Sequence, residues 1–478
     1  MIQHYVVAGG GIAGILSALL LRKYYPNSKI TLIESNNKLG GLLRSFDYGE
    51  NGLFDYGTHY LMESGILDVD DLFESVLPLH ERHIMSGYQT DISGAYRNGK
   101  LQNNSPCIDI RSHPDCAAYI KDFIHNFQNL NSENPPIKNA KEYYERRYGK
   151  KITADFIAPI ILKIFKKSLE SMSYMGTRFF PLSRLIMMEN KDINSLDPLV
   201  KNCVAHTDQR NTSFLKQTAS NAFYSQKRGI GLMIKGFVEM MHDQSINILY
   251  NNKVSSIEIK NACVKSILVT SKDKEDTVKI DIDLFVSATG VIPLTSLFNI
   301  DGLDIRSLDM PMTTVLVHLN ISKPLQTKGL YYFYCYDEGY HSFRITDYRN
   351  YCPQAQDDGD NGKGYPVTVE MVFENNTKYT DIDFSNIAIN ELKKMGVVKE
   401  KTDILFKKSE KLSYGFPLLT VQNDNVFADV RSHIQSLKLK NFVSCGALSE
   451  TDVYFQSDII YDVHKKISSL SLSKKQIV

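Results

Sequence analysis

The N-terminal part of the chain alternates short apolar runs with glycine-rich or polar connections. An apolar run at positions 5–8 leads into closely spaced glycines, and apolar residues then recur at helical spacing between Ile15 and Leu20. A second apolar run covers Lys29 to Ile33 and ends at Glu34. Because buried strands read as short apolar runs and helices as a repeat of three to four residues, this pattern predicts a strand, a turn, a helix and a second strand.

The glycines between the first strand and the helix have the spacing Gly-x-Gly-x-x-Gly, at Gly9, Gly11 and Gly14. In this context, with an acid about 20 residues beyond the last glycine, the spacing is the dinucleotide-binding fingerprint. Gly9 allows the tight turn, Gly11 lets a pyrophosphate approach the backbone, and Gly14 lets the helix lie close to the strand. The helix N-terminus attracts phosphates, and the Glu34 carboxylate can accept from ribose hydroxyls, which disfavours NADP. The alternative is a glycine-rich turn that binds nothing.

The following segment favours FAD over NAD. A glycine pair, Gly40 and Gly41, precedes Arg44, and a later turn reads Asp-Tyr-Gly-Thr-His and ends at His59. The glycines permit another close backbone approach, and Arg44 can supply positive charge to a diphosphate. The combination resembles the FAD-binding start of the family that contains flavin amine oxidases, protoporphyrinogen oxidase, phytoene desaturases and UDP-galactopyranose mutase, strongly over residues 1–60 and patchily beyond. The resemblance implies FAD as the cofactor, wrapped by the glycine pair and Arg44, with His59 in a turn beside the flavin.

Long β-type runs dominate the second half of the chain. They are rich in β-branched and aromatic residues and predict an antiparallel sheet, at 313–321, 330–336, 340–345 and 367–373. The acidic, glycine-rich stretch 356–364 is predicted to be a solvated hairpin tip, and 116–128 and 140–169 are predicted to be helical.

The predicted fold class is α/β, with a Rossmann-like FAD-binding domain interleaved with an α+β substrate domain of antiparallel sheet plus helices. The predicted FAD-binding segments are 1–75, 216–300 and 426–478, and the predicted substrate-domain segments are 76–215 and 301–425.

The resemblance assigns two later positions to the cofactor. Val254 falls where the backbone of the family clasps the adenine, and Gly446 falls in a Gly-Asp pair that touches the ribityl chain of FAD. This chain has Ala447 in place of that aspartate, which puts the contact in doubt. Glu450 and Asp452 are the candidate replacements.

The candidate catalytic residues are Arg344, Tyr454 and His59. Arg344 lies on an apolar strand, where an unpaired arginine is costly, so it either binds a diphosphate or forms a structural ion pair. An aromatic wall around a donor carbon suits an amine or alcohol oxidase, and Tyr454 is a candidate for it, with core packing as the default. His59 bonds either a flavin carbonyl or its own turn. The weaker candidates are Arg178 and Arg349 for the diphosphate, and Tyr414 and Phe455 for the aromatic wall.

The apolar segment 156–167 carries Lys163, Lys166 and Lys167. Contact with a membrane surface and a buried helix whose lysines mark its wet end both fit this pattern. The buried helix is the favoured reading.

Composition limits the partners and the compartment. The chain has 478 residues and a formal net charge of +1, so we expect no nucleic-acid partner. The seven cysteines have no C-x-x-C spacing, which disfavours disulfide frameworks and zinc sites and favours a reducing compartment; we expect no metal. We find no signal peptide or membrane-spanning run, so we expect a cytoplasmic protein with a small-molecule substrate and no integral membrane segment. The oligomeric state stays open.

Two functions of different classes fit these features. The leading one is an FAD-dependent oxidoreductase that takes hydride from a C–N or C–O carbon of a small molecule, with sugar-pathway substrates among the candidates. The alternative is a UDP-galactopyranose mutase-like, non-redox isomerase of a nucleotide-sugar. A flavin-holding protein without turnover is a third reading, because the ribityl aspartate is missing.

Overall fold

The computed structural model describes residues 2–85, 92–128, 135–193, 195–208, 222–273, 276–300, 303, 307–375, 377–412 and 418–475. Tyr414, a candidate for the aromatic wall, lies outside these residues. The strands are β1 His4–Ala8, β2 Lys29–Ile33, β3 Ser45–Asp47, β4 Leu53–Asp55, β5 Leu61–Met62, β6 Arg82–Ile84, β7 Ser93–Arg97, β8 Lys100–Gln102, β9 Ala222–Ser225, β10 Asn247–Leu249, β11 Asn252–Lys260, β12 Cys263–Ser271, β13 Thr277–Asp281, β14 Leu284–Ser287, β15 Thr313–Ile321, β16 Tyr332–Cys335, β17 Ser342–Asp347, β18 Tyr365–Phe373, β19 Ile404–Leu412 and β20 Phe442–Ser444.

A π-helical turn at Thr153–Ile157 joins two of the helices. The helices are α1 Ile12–Tyr24, α2 Leu67–Val76, α3 Cys116–Gln128, α4 Ala140–Tyr148, α5 Lys150–Ile152, α6 Ala158–Phe165, α7 Tyr174–Thr177, α8 Asn190–Ile193, α9 Pro198–Lys201, α10 Gly231–Asp243, α11 Val291–Leu297, α12 Pro353–Asp360, α13 Asp381–Lys394, α14 Val421–Ser436 and α15 Gln456–Lys475.

A parallel sheet carries the glycine-rich turn. Its strand order is β10-β2-β1-β14-β20, and each neighbouring pair is parallel. The strands are apolar because both faces of the sheet are covered, one by the buried residues of α1 and the other by residues of β12 such as Val264 and Ile267. These strands come from three widely separated parts of the chain, as the α/β prediction requires. The α/β fold class is therefore confirmed, whereas the exact domain boundaries remain predictions.

A mixed sheet forms the second layer. Its strand order is β19-β15-β18-β17-β16-β7-β8, and its pairs are antiparallel except for β16 with β7. Side chains alternate between its two faces. One face, which includes Phe333, Ile345 and Val369, packs on α13. The other face, which includes Tyr334 and Arg344, is directed at the glycine-rich turn and lines the cavity described below.

Most apolar side chains of the segment 156–167 are buried, as favoured, and Leu162 and Lys166 are exposed, but Lys163 does not mark a solvated end. Phe156, Ile160 and Ile164 are buried, and so is Lys163. The Lys163 Nζ donates to the carbonyl oxygens of Cys335, at 2.6 Å, and of Ser342. The pattern missed this because the backbone acceptors lie on strands that are distant in sequence.

The hairpin predicted at 356–364 is wrong, although most of the stretch is exposed as predicted. Residues Pro353–Asp360 form α12, and Pro353 occupies its first turn, where proline is favoured because no backbone N–H is needed there. Asp358 is buried and forms an ion pair with buried Arg228, with 3.0 Å between Nη2 and Oδ2. One acid of this stretch, Asp358, is thus buried because Arg228 from another segment neutralises its charge.

Among the described residues, no helix combines the length and the hydropathy that crossing a bilayer requires.

Buried His318 predicts a specific dependence of stability on pH. Its ring lies among aromatic rings such as Phe54, at 5.0 Å between centroids, and its Nδ1 is 3.0 Å from Thr368 Oγ1. Burial lowers the pKa of His318 from 6.5 to about 3, with a smaller contribution from Arg228. Below pH 6.5 the unfolded chain therefore binds a proton that the folded chain refuses. The stability is fully present above pH 6.5 and is lost as the pH falls towards 3.

We expect wild type to lose about 2–3 kcal/mol more stability than His318→Gln between pH 7 and pH 4, measured by urea unfolding. Burial raises the pKa values of Asp55 and Asp347 to about 6, which acts in the opposite direction. Both acids are present in both proteins, so the difference isolates His318. Parallel stability curves for the two proteins would refute this assignment.

Candidate functional site

A cavity of about 460 Å³ lies between the glycine-rich turn and the mixed sheet. This size falls within the range of small-molecule sites. The cavity brings together residues from eight separate stretches of the chain, including seven of the residues proposed from the sequence. Those seven are Gly11, Gly40, His59, Arg344, Gly446, Tyr454 and Phe455.

The glycines of the turn have the packing roles that their spacing predicts. Gly9 has a φ of +103°, which L side chains rarely adopt. A Cβ atom on Gly14 would lie 1.7 Å from the Gly9 carbonyl oxygen, so only glycine lets α1 pack this closely on β1. Gly9 and Gly14 thus shape the turn.

Gly11 differs, because a Cβ atom there would meet no described atom within 4 Å. Gly11 is the N-cap of α1 and makes no side-chain capping bond, and Gly11, Ile12 and Ala13 all line the cavity. The first backbone N–H groups of a helix have no intrahelical acceptor and attract anions. The open space at Gly11 therefore fits a phosphate-bearing cofactor.

Glu34 is buried and holds the turn. Its Oε2 accepts from the Gly10 N–H at 2.7 Å, and its Oε1 accepts from the backbone N–H and the side-chain amide of Asn36, at 2.8 and 2.7 Å. These bonds fix the carboxylate beside the glycine turn. The contact of Glu34 with a ribose stays a prediction.

The glycine pair joins a second loop to this turn. The Gly40 N–H donates to the Gly10 carbonyl at 2.7 Å, and both Gly40 and Gly41 have positive φ. Arg44 Nε donates to the Gly41 carbonyl at 2.8 Å, and its guanidinium lies 4.8 Å from the Tyr56 ring centroid. Arg44 is half-buried and outside the lining of the cavity, so its contact with a diphosphate stays a prediction.

Asp55 connects three segments behind the cavity. Its buried carboxylate accepts from Tyr224 Oη at 2.6 Å, from Ser45 Oγ at 2.7 Å and from the Ile230 N–H at 2.8 Å, and its own N–H donates to Tyr348 Oη. Burial raises the pKa of Asp55 to about 6, although these hydrogen bonds oppose the shift. The hydrogen bonds fix the start of the turn that presents His59.

His59 and Arg344 line the same part of the cavity, and Arg344 is paired with Glu370. Burial, with a smaller contribution from the Arg344 charge, lowers the pKa of His59 to about 4, so His59 is neutral at pH 7. His59 Nδ1 is 3.3 Å from the Gly57 carbonyl oxygen. Burial alone would lower the pKa of Arg344, but Glu370 raises it above its ordinary value. Arg344 therefore forms a structural ion pair and also lines the cavity, and its contact with a diphosphate stays a prediction.

Aromatic side chains form much of the remaining wall. Tyr454 Oη is buried and has no hydrogen-bond partner among the described residues, and burial raises the pKa of Tyr454. The sequence interpretation missed other aromatic residues of this wall. They are Tyr60, Phe179, Tyr332 and Tyr334. The alternation in β16 was a usable signal, because Tyr332 and Tyr334 share one face while Phe333 packs in the opposite core.

Several predicted residues lie elsewhere. Glu450 binds Lys466 at 2.8 Å and lines a separate cavity, and Asp452 is exposed, so neither takes the place of the missing aspartate in this cavity. Arg349 lies 3.5 Å from Asp347, and Arg178 covers the Phe455 ring at 5.3 Å.

Val254 lies on β11, which adjoins the Glu34 turn through the bond from Asn252 N–H to the Glu34 carbonyl. Its contact with an adenine stays a prediction, as does that of Gly446 with a ribityl chain. Gly446 has a φ of +96°, and a Cβ atom there would lie 3.4 Å from the Ala288 carbonyl oxygen.

Comparison with known proteins identifies one domain and the fold. Residues 7–75 match the model of the NAD(P)-binding Rossmann-like domain. The chain superposes on reduced UDP-galactopyranose mutase with a TM-score of 0.69 and 14% identity, covering 98% of this chain and 94% of that one. It superposes on a candidate protoporphyrinogen oxidase from Exiguobacterium sp. 255-15 with a TM-score of 0.65 and 14% identity, covering 98% and 99%.

One relative is similar in sequence over part of its length. The chain is 25% identical over 320 residues to a protoporphyrinogen oxidase of Dictyostelium discoideum, and the alignment spans 59% of each protein. The resemblance predicted from residues 1–60 is confirmed: residues 7–75 carry a nucleotide-binding Rossmann-like module, and the fold is that of UDP-galactopyranose mutase and of the candidate protoporphyrinogen oxidase.

Proposed function

We propose that this protein is an FAD-dependent oxidoreductase that takes hydride from a C–N or C–O carbon of a small, uncharged substrate. The observation that carries the proposal is the cavity itself. It joins the open N-terminus of α1 to a wall made of Tyr454, His59 and the aromatic face of the mixed sheet. A phosphate-binding end and an apolar end in one cavity suit a dinucleotide whose ring system meets a substrate.

The charges around the cavity favour this reaction over one on a diphosphate. Among the described residues that line the cavity, Arg344 is the cation, and Glu370 balances its charge with two hydrogen bonds. His59 is neutral at pH 7 because its pKa is about 4. A neutral, largely aromatic lining binds an uncharged carbon donor at low desolvation cost. It offers few positive charges to the diphosphate of a nucleotide-sugar substrate.

Each wall residue has a role in this proposal. When bound, FAD supplies the hydride acceptor. Tyr334, Phe179 and Phe455 exclude water from the cavity, and the Tyr454 ring adds to this aromatic wall. With Nδ1 of His59 directed at the Gly57 carbonyl, its neutral Nε2 can accept a hydrogen bond from the substrate heteroatom and orient it.

The test is direct. We expect the purified protein to show a flavin absorption spectrum, or to acquire one with FAD but not with FMN, at one flavin per chain. Under anaerobic conditions an amine, an alcohol or a porphyrinogen should bleach the oxidised flavin. A chain that stays colourless after incubation with FAD would exclude the proposal.

A second function is supported by the likeness to UDP-galactopyranose mutase and by Arg344 in the cavity wall. In that case the protein would isomerise a nucleotide-sugar with reduced FAD bound and without net oxidation. Sugar-ring isomerisation by the pre-reduced protein, with no bleaching by any of the three donor classes, would replace the leading proposal with this one.

A further inference from the structure

Arg344, which lines the cavity, forms a buried ion pair with Glu370. They are directly opposite each other on β17 and β18, so their side chains share one face of the sheet. Arg344 Nε lies 2.5 Å from Glu370 Oε1, and Nη2 lies 2.8 Å from Oε2. Arg344 is 7% exposed and Glu370 1% exposed. This two-bond geometry fixes the guanidinium plane as well as the charge.

The same carboxylate also holds the turn that carries His59. Glu370 Oε1 accepts from the Thr58 N–H at 3.1 Å and from Thr58 Oγ1 at 3.3 Å. A Cβ atom on Gly57, whose φ is +108°, would lie 2.7 Å from Glu370 Oε2. The turn can therefore approach the carboxylate only with glycine at position 57. Glu370 thus contacts both cavity-lining elements from behind.

We propose that Glu370 is a positioning residue that cancels the charge of Arg344 and thereby sets the reduction potential of the flavin in this cavity. The inference rests on the proposed function, since it requires FAD in the cavity. Reduction adds negative charge to a flavin, and protein charges near the ring tune its potential. An unpaired Arg344 cation would favour the reduced state, so the buried carboxylate keeps the potential lower.

The experiment compares three variants by equilibrium titration of the bound flavin with reference dyes. Glu370→Gln keeps the shape and removes the negative charge, and we expect its potential to shift to more positive values. The double variant Arg344→Gln/Glu370→Gln restores neutrality and should return to the wild-type potential. Arg344→Lys keeps the positive charge but loses the two-bond guanidinium geometry, and its flavin potential should shift less than that of Glu370→Gln.

A merely structural role would give a different pattern. If Glu370 only holds the fold together, the double variant would be shifted at least as far as Glu370→Gln, and that result would overturn the inference. So would an unchanged potential in Glu370→Gln. Breaking a buried pair is costly, so Glu370→Gln could fail to fold. In that case Arg344→Gln is compared with the double variant at about pH 9. The unpaired Glu370 carboxylate of Arg344→Gln should make the flavin potential more negative than in the double variant. Equal potentials would overturn the inference.

Failure of the proposed function has its own signature. The flavin content of wild type is measured first, and a colourless wild type contradicts the proposed function before any potential is compared. A wild type that binds FAD while the variants show no charge-dependent shift contradicts only the role of Glu370.

Discussion

Gly14→Ala is expected to cost about 4 kcal/mol or more of folding stability, among the largest effects of a single substitution in this chain. The added Cβ atom would lie 1.7 Å from the Gly9 carbonyl oxygen, which is backbone and cannot rotate away. To relieve the overlap, α1 would have to move off β1, and the buried residues of α1 belong to the main core. Urea unfolding followed by circular dichroism measures the loss.

Gly11→Ala on the same turn is the matched control. Gly11 has a φ of −73° and a ψ of −178°, which any residue adopts, and its Cβ would meet no described atom within 4 Å. We expect the flavin-free variant to keep wild-type stability within about 0.5 kcal/mol and to bind FAD at least about tenfold more weakly. Unchanged FAD affinity would show that the open space at Gly11 is not where the phosphates bind.

Asp55→Ala is expected to destabilise the folded chain by about 3–5 kcal/mol. It removes a buried acceptor and leaves Tyr224 Oη and the Ile230 N–H without their partner. It also releases the start of the turn that presents His59, so FAD affinity should fall together with stability. Denaturant unfolding and FAD titration measure the two effects.

Asp55→Asn separates hydrogen bonding from packing. The amide retains the size of the side chain and one acceptor oxygen, so we expect a smaller loss, about 1–3 kcal/mol. If both variants lost less than 1 kcal/mol, the buried hydrogen bonds at Asp55 would not be what joins the three segments.

The sequence was sufficient for the local features of the site. The βαβ unit was predictable because each of its signals lies within one continuous stretch, and the structure places Gly9, Gly14 and Glu34 in that turn. The run of β15 was also predictable, since 313–321 is an unbroken β-type pattern. Residues close together in sequence determine these elements, so the local sequence pattern is enough to predict them.

Pairings between distant strands and segments were not predictable. That Arg344 faces Glu370 depends on the register of β17 against β18, and nothing in either strand alone specifies it. The burial of Lys163 depends on carbonyl groups of strands far along the chain. The burial of Asp358 in the acidic stretch 356–364 was missed for the same reason, because its partner Arg228 is supplied by a different segment.

The interleaved order of the strands has a consequence for biosynthesis. The sheet that bears the glycine-rich turn has β1 near its centre and β20 at its edge, and β20 begins only at Phe442. Domains of most proteins fold in turn as they leave the ribosome. Here the sheet lacks its β20 edge until at least residue 444 has been synthesised, so β1 and β14 leave the ribosome long before the strand that completes their sheet.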